Sequence, residues 1–557
     1  MPKVERSIWL VTVNFALILL CACAFLPSEA RPADQESAAN TKFKIAGTVV
    51  NSITGAPLGK ARITLTDTAN RANMLSVVTG GDGHFEFYSL YRAKYSLQGA
   101  KRGFISAAYE QHEQFSTAIV TGPDFNTENL VFRLTPLAFV SGKVIDESGE
   151  PVRKARVFLY AENHQGGMNR IERRGADVTD DEGYYEFTTL GPGNYFVSVS
   201  AKPWYAFHLS PSARSGGNAS PDPTPLDVGY PTTYNNGATD SQSATPFPLQ
   251  AGDHAQVDIH LSPVPVVHLT FRVPEDQQPG PRMPQLRKRV FDTFEYVGYD
   301  GVQSTAPGVF ELSGVPAGKY TVVLPDPQTG RQQQSSEITL NNDGQELDVS
   351  HAEVTASVKL SVKLPRQSSG SQQVTIGLQD SRTRVIAGNT IDAAGDVTLE
   401  SVPPGKYALV AFSADKRYSV IRTAFSGVET SNNVLTLTPG SSLSGTVFLA
   451  VGVVSVEGFV QRGGKPSSGV MVALIPKDPQ SHLDMFRRDQ SDSDGSFTLP
   501  AVIPGTYTLI AVEDAWGFQW MQPDVLKRYL QHGQNLTIGE LMTNTVHLPE
   551  PVEVQPH

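Results

Sequence analysis

The sequence has only two cysteines, Cys21 and Cys23, among its 557 residues, and both lie near the N-terminus. If the chain is cut after Ala30, as argued below, no cysteine remains. Such a chain can form neither a disulfide framework nor a thiolate metal site. Stability is then expected to come from apolar cores and from hydrogen bonds between strands.

Motifs that would indicate catalysis are also missing. The twelve histidines are scattered and form no His-Glu-x-x-His pattern, so no metal site is predicted. The sequence has no Gly-x-Ser-x-Gly elbow, no phosphate-binding loop and no dinucleotide fingerprint. We therefore predict a non-enzymatic protein that needs no cofactor.

Positive charge is scarce, because 45 Lys and Arg residues stand against 56 Asp and Glu residues, for a net charge of −11. Nucleic-acid binding draws its affinity from clustered cations, so nucleic acid is not an expected partner. Beyond the N-terminus, no apolar run approaches the roughly 20 residues that a membrane helix needs. We expect no transmembrane span in the mature chain.

The first thirty residues have the order of a secretory signal peptide. Lys3 and Arg6 precede an apolar run from Ile8 to Leu20, and Ser28-Glu29-Ala30 ends the segment. This pattern predicts removal of residues 1–30 and a secreted or periplasmic protein. Leu20-Cys21-Ala22-Cys23 also loosely resembles a lipoprotein cleavage box, which leaves open a lipid anchor to the outer membrane through Cys23.

One short phrase recurs five times: an apolar residue, a turn usually built from Pro and Gly, and a tyrosine that opens a strand. The copies are Leu90-Tyr91-Arg92-Ala93-Lys94-Tyr95, Leu190-Gly191-Pro192-Gly193-Asn194-Tyr195, Val315-Pro316-Ala317-Gly318-Lys319-Tyr320, Val402-Pro403-Pro404-Gly405-Lys406-Tyr407 and Ile503-Pro504-Gly505-Thr506-Tyr507. A glycine turn and an alternating strand precede each copy, as in Asp82-Gly83, Glu182-Gly183 and Asp494-Gly495. Together the two signals predict a hairpin.

The five tyrosines are 100, 125, 87 and 100 residues apart. This spacing matches a separate β-sandwich better than a solenoid rung or a propeller blade. We predict an all-β chain of tandem sandwich modules arranged as beads on a string, with modest contacts between modules.

Three units also open with a glycine and a strand, then a Gly/Pro turn and a branched strand. The openings are Gly47-Thr48-Val49, Gly142-Lys143-Val144 and Gly458-Phe459-Val460. This pattern resembles the carboxypeptidase regulatory-like domain, and the resemblance is partial in the third and fourth units. It implies an Ig-like or prealbumin-like sandwich, also grouped with carbohydrate-binding-like folds. It implies no peptidase activity, since in that family the chemistry sits in a separate zinc domain.

The predicted modules follow one another along the chain. Their ranges are 42–135, 136–263 with a surface loop insertion at 210–245, 264–351, 352–439, and 440–550. In the last module, Pro523 and Gly533 predict the start and end of one short helix.

Two groups of aromatic residues are the candidate ligand-binding sites. Trp204 and Tyr205 follow the last strand of the second unit, and Trp516, Phe518 and Trp520 follow that of the fifth. Alternate spacing would place Trp516, Phe518 and Trp520 on one face of an extended segment, where flat rings suit pyranose faces. The alternative is that these rings cover an open sandwich end or the helix near Tyr529.

Acidic turns give a weaker signal for calcium. Asp489, Asp492 and Asp494 precede Gly495, but their spacing does not fit a helix-loop-helix calcium loop. A solvated turn is the expected structure, and calcium binding is left open.

Two functions remain from the sequence. One is a non-catalytic structural or interaction protein of the cell envelope, with other envelope proteins or glycans as partners. The other is a carbohydrate-binding protein that uses its surface aromatic residues.

Overall fold

The computed structural model describes residues 42–164, 167–208, 225–272, 285–298, 301–325, 332–342, 344–348, 353–365, 373–426, 428–430, 433–517 and 519–557. The predicted signal segment, with Cys21 and Cys23, lies outside the described residues. Residues Phe43–His557 form one compact unit, and nearly all of its described regular elements are strands.

The first sandwich contains sheets β4-β1-β8 and β3-β2-β5-β6, with β7 also paired to β5. Its strands are β1 Phe43–Asn51, β2 Arg62–Asp67, β3 Met74–Val78, β4 His84–Leu90, β5 Lys94–Ala100, β6 Ala107–Ala108, β7 Ile119–Val120 and β8 Leu130–Leu134. Side chains alternate across β2, where Ile63 and Leu65 point into the core and Arg62 points out. Burial of one face of each sheet produces a closed apolar core.

The second sandwich repeats this plan with sheets β12-β9-β17 and β11-β10-β13-β15, to which β18 and β16 add short pairings. Its strands are β9 Ala138–Ile145, β10 Arg156–Asn163, β11 Arg170–Val178, β12 Tyr184–Leu190, β13 Gly193–Ser200, β14 Val228–Gly229, β15 Thr233–Tyr234, β16 Phe247–Leu249, β17 His254–Gln256 and β18 Ile259–His260.

The third and fourth sandwiches lie between residues 264 and 451. The third contains β19 Val264–Arg272, β20 Gln285–Val290, β21 Thr293–Val297, β22 Gly301–Ala306, β23 Val309–Pro316, β24 Gly318–Pro325, β25 Gln332–Leu340, β26 Gln345–Asp348 and β27 Glu353–Val354. The fourth contains β28 Ala356–Lys363, β29 Thr375–Gln379, β30 Val385–Thr390, β31 Asp396–Val402, β32 Gly405–Phe412, β33 Tyr418–Phe425, β34 Val428–Thr430, β35 Val434–Leu437 and β36 Ser442–Val451. Each encloses its own apolar core.

The fifth sandwich combines strands with the helix α1, Pro523–Leu530. Its strands are β37 Val454–Arg462, β38 Lys465–Pro466, β39 Met471–Pro476, β40 Arg487–Gln490, β41 Ser496–Val502, β42 Gly505–Val512, β43 Gln534–Ile538, β44 Val546–His547 and β45 Val552–Gln555. Two 3-10 helices, Leu483–Met485 and Ala515–Gly517, interrupt the loops. The helix α1 packs Leu526 and Tyr529 onto the outer face of β42 and β39.

All five sandwiches share one topology. The opening strand pairs in parallel with a strand near the end of the sandwich, and antiparallel with the strand that precedes the repeated phrase. The third and fourth sandwiches are therefore built like the others, although their sequences match the pattern only in part. The prediction of tandem β-sandwich modules is confirmed.

The predicted hairpin at the repeated phrase is wrong. The strand before the phrase and the strand after it lie in opposite sheets, as with β4, which pairs with β1, and β5, which pairs with β2. The phrase is thus a crossing between sheets. Because the chain crosses from one sheet to the other, the tyrosine ring is buried in the core. In a hairpin, the turn would lie at the edge of a single sheet.

Two local devices make this crossing. A β-bulge precedes it, and the second bulge residue has a left-handed backbone at Ser89, Thr189, Gly314, Ser401 and Ala501, with φ between 54° and 78°. After the crossing, each tyrosine hydroxyl donates to the carbonyl four residues earlier, at distances of 2.6 to 3.2 Å. This bond is similar to the tyrosine corner of Ig-type sandwiches, and it explains why the position carries tyrosine rather than phenylalanine.

Two predicted boundaries differ from the structure. The strand β36 follows the predicted boundary at 439/440, yet it pairs with β28 and β33 of the fourth sandwich. Part of the predicted loop insertion at 210–245 lies outside the described residues. The described part is not wholly at the surface, because Tyr230 and Tyr234 are buried and β14 pairs with β19 of the third sandwich.

The bulge conformation predicts the effect of a glycine at Thr189. A β-branched residue is strained at φ 63°, and glycine adopts this backbone without steric cost. We expect Thr189→Gly to stabilise the second sandwich by up to about 1 kcal/mol. The adjacent Thr188 is also exposed and does not have a positive φ, so Thr188→Gly relieves no such strain and should destabilise it by about 0.5–1 kcal/mol. Hydrogen exchange of β12 and β13 amides during urea titration measures both changes, and equal effects would contradict the strain.

Candidate functional site

The predicted row of exposed rings after the fifth sandwich does not form. Trp516 lies in the 3-10 helix Ala515–Gly517, where three residues make one turn, so alternate side chains do not share a face. Trp520 is 4% exposed and packs with Tyr529 of α1. Phe518 lies outside the described residues. The alternative reading, in which these rings cover the sandwich and its helix, agrees with the positions of Trp516 and Trp520.

Trp520 lies where three sandwiches meet. Its ring packs against Phe486, with 5.5 Å between the ring centroids, and the Arg488 guanidinium lies 4.6 Å from its centroid. Gly167, in the loop between β10 and β11 of the second sandwich, lies so close that an added Cβ would be 2.4 Å from the ring. The backbone N–H of Met521 donates to the Gly167 carbonyl at 3.0 Å. The second sandwich therefore closes over this tryptophan.

Arg488 also holds the first sandwich. Its Nη2 lies 2.8 Å from Glu113 Oε2 and its Nη1 lies 3.2 Å from Glu113 Oε1. Both side chains are less than a tenth exposed, at 8% and 9%. A paired guanidinium and carboxylate with this geometry are specific in orientation, and removing one partner leaves a buried charge.

Trp516 contributes to the same contact. Its ring stacks on His112 of the first sandwich, with 5.1 Å between centroids and 6° between planes. The Gln490 amide donates to the Glu110 carbonyl at 2.7 Å and to Thr117 Oγ1 at 2.9 Å. We call residues 110–120 and 488–496, with Lys94, Trp516 and Trp520, the first-to-fifth interface.

The acidic turn of the fifth sandwich belongs to this interface and is not a solvated turn. Asp492 Oδ2 lies 2.6 Å from Lys94 Nζ, and its Oδ1 accepts the Ala118 N–H at 2.9 Å. Burial raises the pKa of Asp489 to about 6, and the backbone N–H of Thr498 donates to this carboxylate at 2.8 Å. Within the described residues, no group of three or more His, Cys, Asp or Glu side chains is arranged to hold a metal ion.

Trp204 and Tyr205 have a different setting. Trp204 is 86% exposed, and Tyr205 meets it edge to face with 5.8 Å between ring centroids. The hydroxyls of Tyr205 and Tyr230 both donate to Glu147, the latter at 2.8 Å. The hydrogen bond to Glu147 raises the pKa of Tyr205 to about 12. This anchor orients Tyr205 and leaves the faces of Trp204 open to solvent.

A buried ionisable group between the second and third sandwiches was not found from the sequence. His268 Nε2 lies 3.1 Å from Asp227 Oδ2, and His208 Nδ1 lies 2.8 Å from Asp227 Oδ1. On the other side, His268 Nδ1 lies 3.3 Å from Glu311 Oε1. Imidazole and carboxylate groups thus alternate from His208 through Asp227 and His268 to Glu311, across the two sandwiches. Their spacing in the sequence carries no motif, so only the tertiary fold brings them together.

The neighbouring aromatic cluster ties the same two sandwiches. Tyr160 and Tyr234 of the second sandwich pack around Phe291 of the third, with centroid distances of 5.2 and 5.7 Å. The Tyr160 hydroxyl also donates to Glu295 of the third sandwich. The contact is therefore a small core of its own rather than a flexible joint.

Removal of one partner tests the buried ion pair of the first-to-fifth interface. We expect Glu113→Ala and Arg488→Ala each to cost about 3 kcal/mol of stability, because the remaining charge loses its partner in a buried site. In a double-mutant cycle, the coupling energy should exceed about 1 kcal/mol. Urea unfolding of the full chain measures all three variants.

The pair Arg462 and Glu513 provides the matched control. Its atoms lie 2.5 Å apart, but the side chains are 52% and 37% exposed within the fifth sandwich. Exposed pairs are worth about 0.2–1 kcal/mol, so this cycle should give a smaller coupling. Equal coupling in the two pairs would contradict a special role for Arg488 and Glu113.

Comparison with known proteins supports the fold. The model of the carboxypeptidase regulatory-like domain matches residues 44–135 and 140–217. The model of the second β-sandwich domain of the BOS complex subunit NOMO1-like family matches residues 448–536. No curated protein matches the sequence. Within the described residues, no helix has the length and apolarity that a membrane crossing requires.

Several solved structures are weakly similar. The TIE protein of Bacillus anthracis is 10% identical, with 76% of each chain covered and a TM-score of 0.17. A streptococcal ancillary pilin is 12% identical over 55% of this chain and 98% of its own, with a TM-score of 0.19. Two B repeats of the collagen-binding protein of Staphylococcus aureus are 12% identical over 73% of this chain and 100% of their own, with a TM-score of 0.12.

The family matches agree with the resemblance seen in the repeated phrase and in the glycine openings. Carboxypeptidase regulatory-like domains are non-catalytic modules. The chain is thus a tandem β-sandwich protein, and two of its segments match the carboxypeptidase regulatory-like domain.

Proposed function

We propose that this chain is a non-catalytic, exported structural and interaction protein of the cell envelope. The observation that carries the proposal is the first-to-fifth interface. Side chains more than 370 positions apart in sequence, such as Glu113 and Arg488, interlock there. A chain whose first and last sandwiches are joined in this way keeps its surfaces in fixed relative positions, which suits a scaffold.

The rest of the molecule supports a scaffold role. The second and third sandwiches share the cluster around Phe291, and the loop at Gly167 packs on Trp520. Interfaces of this kind reduce motion between domains, whereas exposed linkers favour it. The N-terminal pattern, with Lys3 and Arg6 ahead of an apolar run, supports export.

Export is tested by expressing the full chain with its own N-terminus in a bacterial host that has an outer membrane. We expect recovery in the periplasm or medium, with intact mass and N-terminal sequencing placing Arg31 first. Replacement of the apolar residues Leu17 and Leu19 by Arg should retain the protein in the cytoplasm, because a signal needs an uninterrupted apolar segment.

Labelling with a fatty-acid analogue distinguishes the lipid-anchored form. Label lost in Cys23→Ser and kept in Cys21→Ser would show processing at Cys23 in place of Ala30. An unprocessed protein in the cytoplasm would contradict the proposed location.

A second candidate function is carbohydrate binding at Trp204 and Tyr205. The observation that favours it is the 86% exposure of Trp204 beside a tyrosine held in place by Glu147. Flat apolar rings with open faces suit the faces of pyranose rings. Trp520 is buried and gives no such surface.

A glycan array with the full chain tests this candidate. We expect a signal that falls at least about tenfold in Trp204→Ala, since stacking contributes about 1–3 kcal/mol by analogy with base stacking on aromatic rings. Phe459→Ala is the control, because Phe459 is also exposed, at 53%, but lies in the fifth sandwich. No glycan signal, or equal loss in both variants, would exclude this site.

A further inference from the structure

The second and third sandwiches enclose a cavity of about 600 Å³ whose walls are basic. Its six cationic side chains come from β10, β11 and β20, from the loop between β9 and β10, and from the segment after β13. They are Arg153, Lys154, Arg156, Arg173, Lys202 and Lys288. Glu295 is the one carboxylate among the lining residues. In a chain with a net charge of −11, such a concentration of positive charge is a local exception.

The described ion pairs involve some of these cations and not others. Arg173 Nη1 lies 3.9 Å from Glu295 Oε1, and Arg153 Nη1 lies 3.9 Å from the exposed Asp181. Lys154 and Arg156 make no ion pair in the part of the chain that the structure describes. The guanidinium groups of Arg156 and Arg173 both lie over the Phe158 ring, at 5.3 and 5.6 Å from its centroid. Two like charges are therefore held over a single ring.

Burial adds to the cost of these charges. Desolvation lowers the pKa of Lys202 and of Lys288. Lys288 donates to the Thr239 carbonyl at 2.8 Å, and Asp240 partly offsets the desolvation. An anion in the cavity would favour the charged form of both lysines. A negatively charged ligand would therefore stabilise the positive charges that line the cavity.

Aromatic residues line the same cavity. Phe294 and Tyr296, on β21, are 46% and 66% exposed, and Tyr230 and Tyr320 lie deeper in its wall. The Arg287 guanidinium lies over the Phe294 ring, 5.2 Å from its centroid, so Tyr296 is the more accessible of the two rings. An exposed ring next to cations suits a ligand that combines flat apolar faces with negative groups. No lining residue within the described chain belongs to a helix, and phosphate sites are commonly built on helix N-termini or on nests of backbone N–H groups.

We propose that this cavity binds an acidic oligosaccharide, with Arg156 and Lys202 contacting its negative groups and Tyr296 its ring faces. Cations from three strands and two loops would contact charges repeated along the ligand, which a single small anion does not offer. A volume of about 600 Å³ lies within the usual range for bound organic ligands. The proposal extends the carbohydrate-binding candidate to a charged ligand, but it depends on residues other than Trp204.

Calorimetric titration of the full chain at low salt tests this proposal, because screening weakens such contacts. The probes are tetragalacturonate, which carries carboxylates, and a heparin-derived tetrasaccharide, which carries sulfates. Methyl-esterified tetragalacturonate is the neutral control, and hexaglutamate tests an acidic peptide. We expect one or both acidic sugars to bind at least about tenfold more tightly than the ester and the peptide. The two acidic sugars distinguish carboxylate from sulfate recognition.

Charge removal locates the site. Arg156→Gln with Lys202→Gln should weaken binding of the acidic sugar at least tenfold. Lys359→Gln with Lys363→Gln is the matched control, since it removes two exposed cations from β28 in the fourth sandwich, and should change binding less than twofold. Lys154→Gln, an exposed residue without an ion pair, gives a second cavity variant if the double variant unfolds.

Several results would overturn the proposal. They are no binding of either acidic sugar, equal binding of the methyl ester, equal or tighter binding of hexaglutamate, or equal loss in the cavity and control variants. Trp204→Ala should leave binding within twofold. Loss in Trp204→Ala with none in the cavity variants would place the ligand on Trp204 and remove it from the cavity, so the two sites can fail separately.

Discussion

In each sandwich, a hydrogen bond from a tyrosine hydroxyl to the carbonyl four residues earlier fixes the segment that crosses between the two sheets. In all five sandwiches the chain passes there from one sheet to the other, after a bulge with a left-handed residue. This crossing places consecutive strands in opposite sheets, whose apolar faces meet in the core. Burial of alternating side chains between the sheets then provides the main stabilisation.

The contacts between sandwiches use different chemistry. The second and third sandwiches share an aromatic cluster at Phe291 and a buried group of His268, Asp227 and Glu311. The first and fifth are joined by ion pairs and backbone hydrogen bonds, with Arg488 stacked on Trp520. Polar contacts of this type are directional, so they fix orientation as well as proximity. Trp516, Trp520 and Asp492, which were candidates for sugar or calcium binding in the sequence, take part in this interface.

Charge is distributed unevenly over the molecule. The excess of acidic residues predicts poor binding of polyanions, and this expectation concerns the average surface. The cavity between the second and third sandwiches concentrates six cations that come from separate segments between Arg153 and Lys288. A net charge does not describe such a site, because electrostatic potential in a cleft depends on nearby groups. Trp204 lies two residues beyond Lys202 of this cavity, yet its ring projects into solvent.

The sequence by itself determined the all-β class, the tandem modules and the resemblance to the regulatory-like domain, because strand alternation and turn residues are local properties. It also predicted a tyrosine at the start of the strand that follows each repeated phrase. Only the tertiary structure decided that the phrase crosses between sheets, that β36 belongs to the fourth sandwich, and that Asp492 meets Lys94. These facts depend on which distant segments pair and pack. A contact between side chains that are hundreds of residues apart produces no periodic pattern in the sequence, so it cannot be read from the sequence.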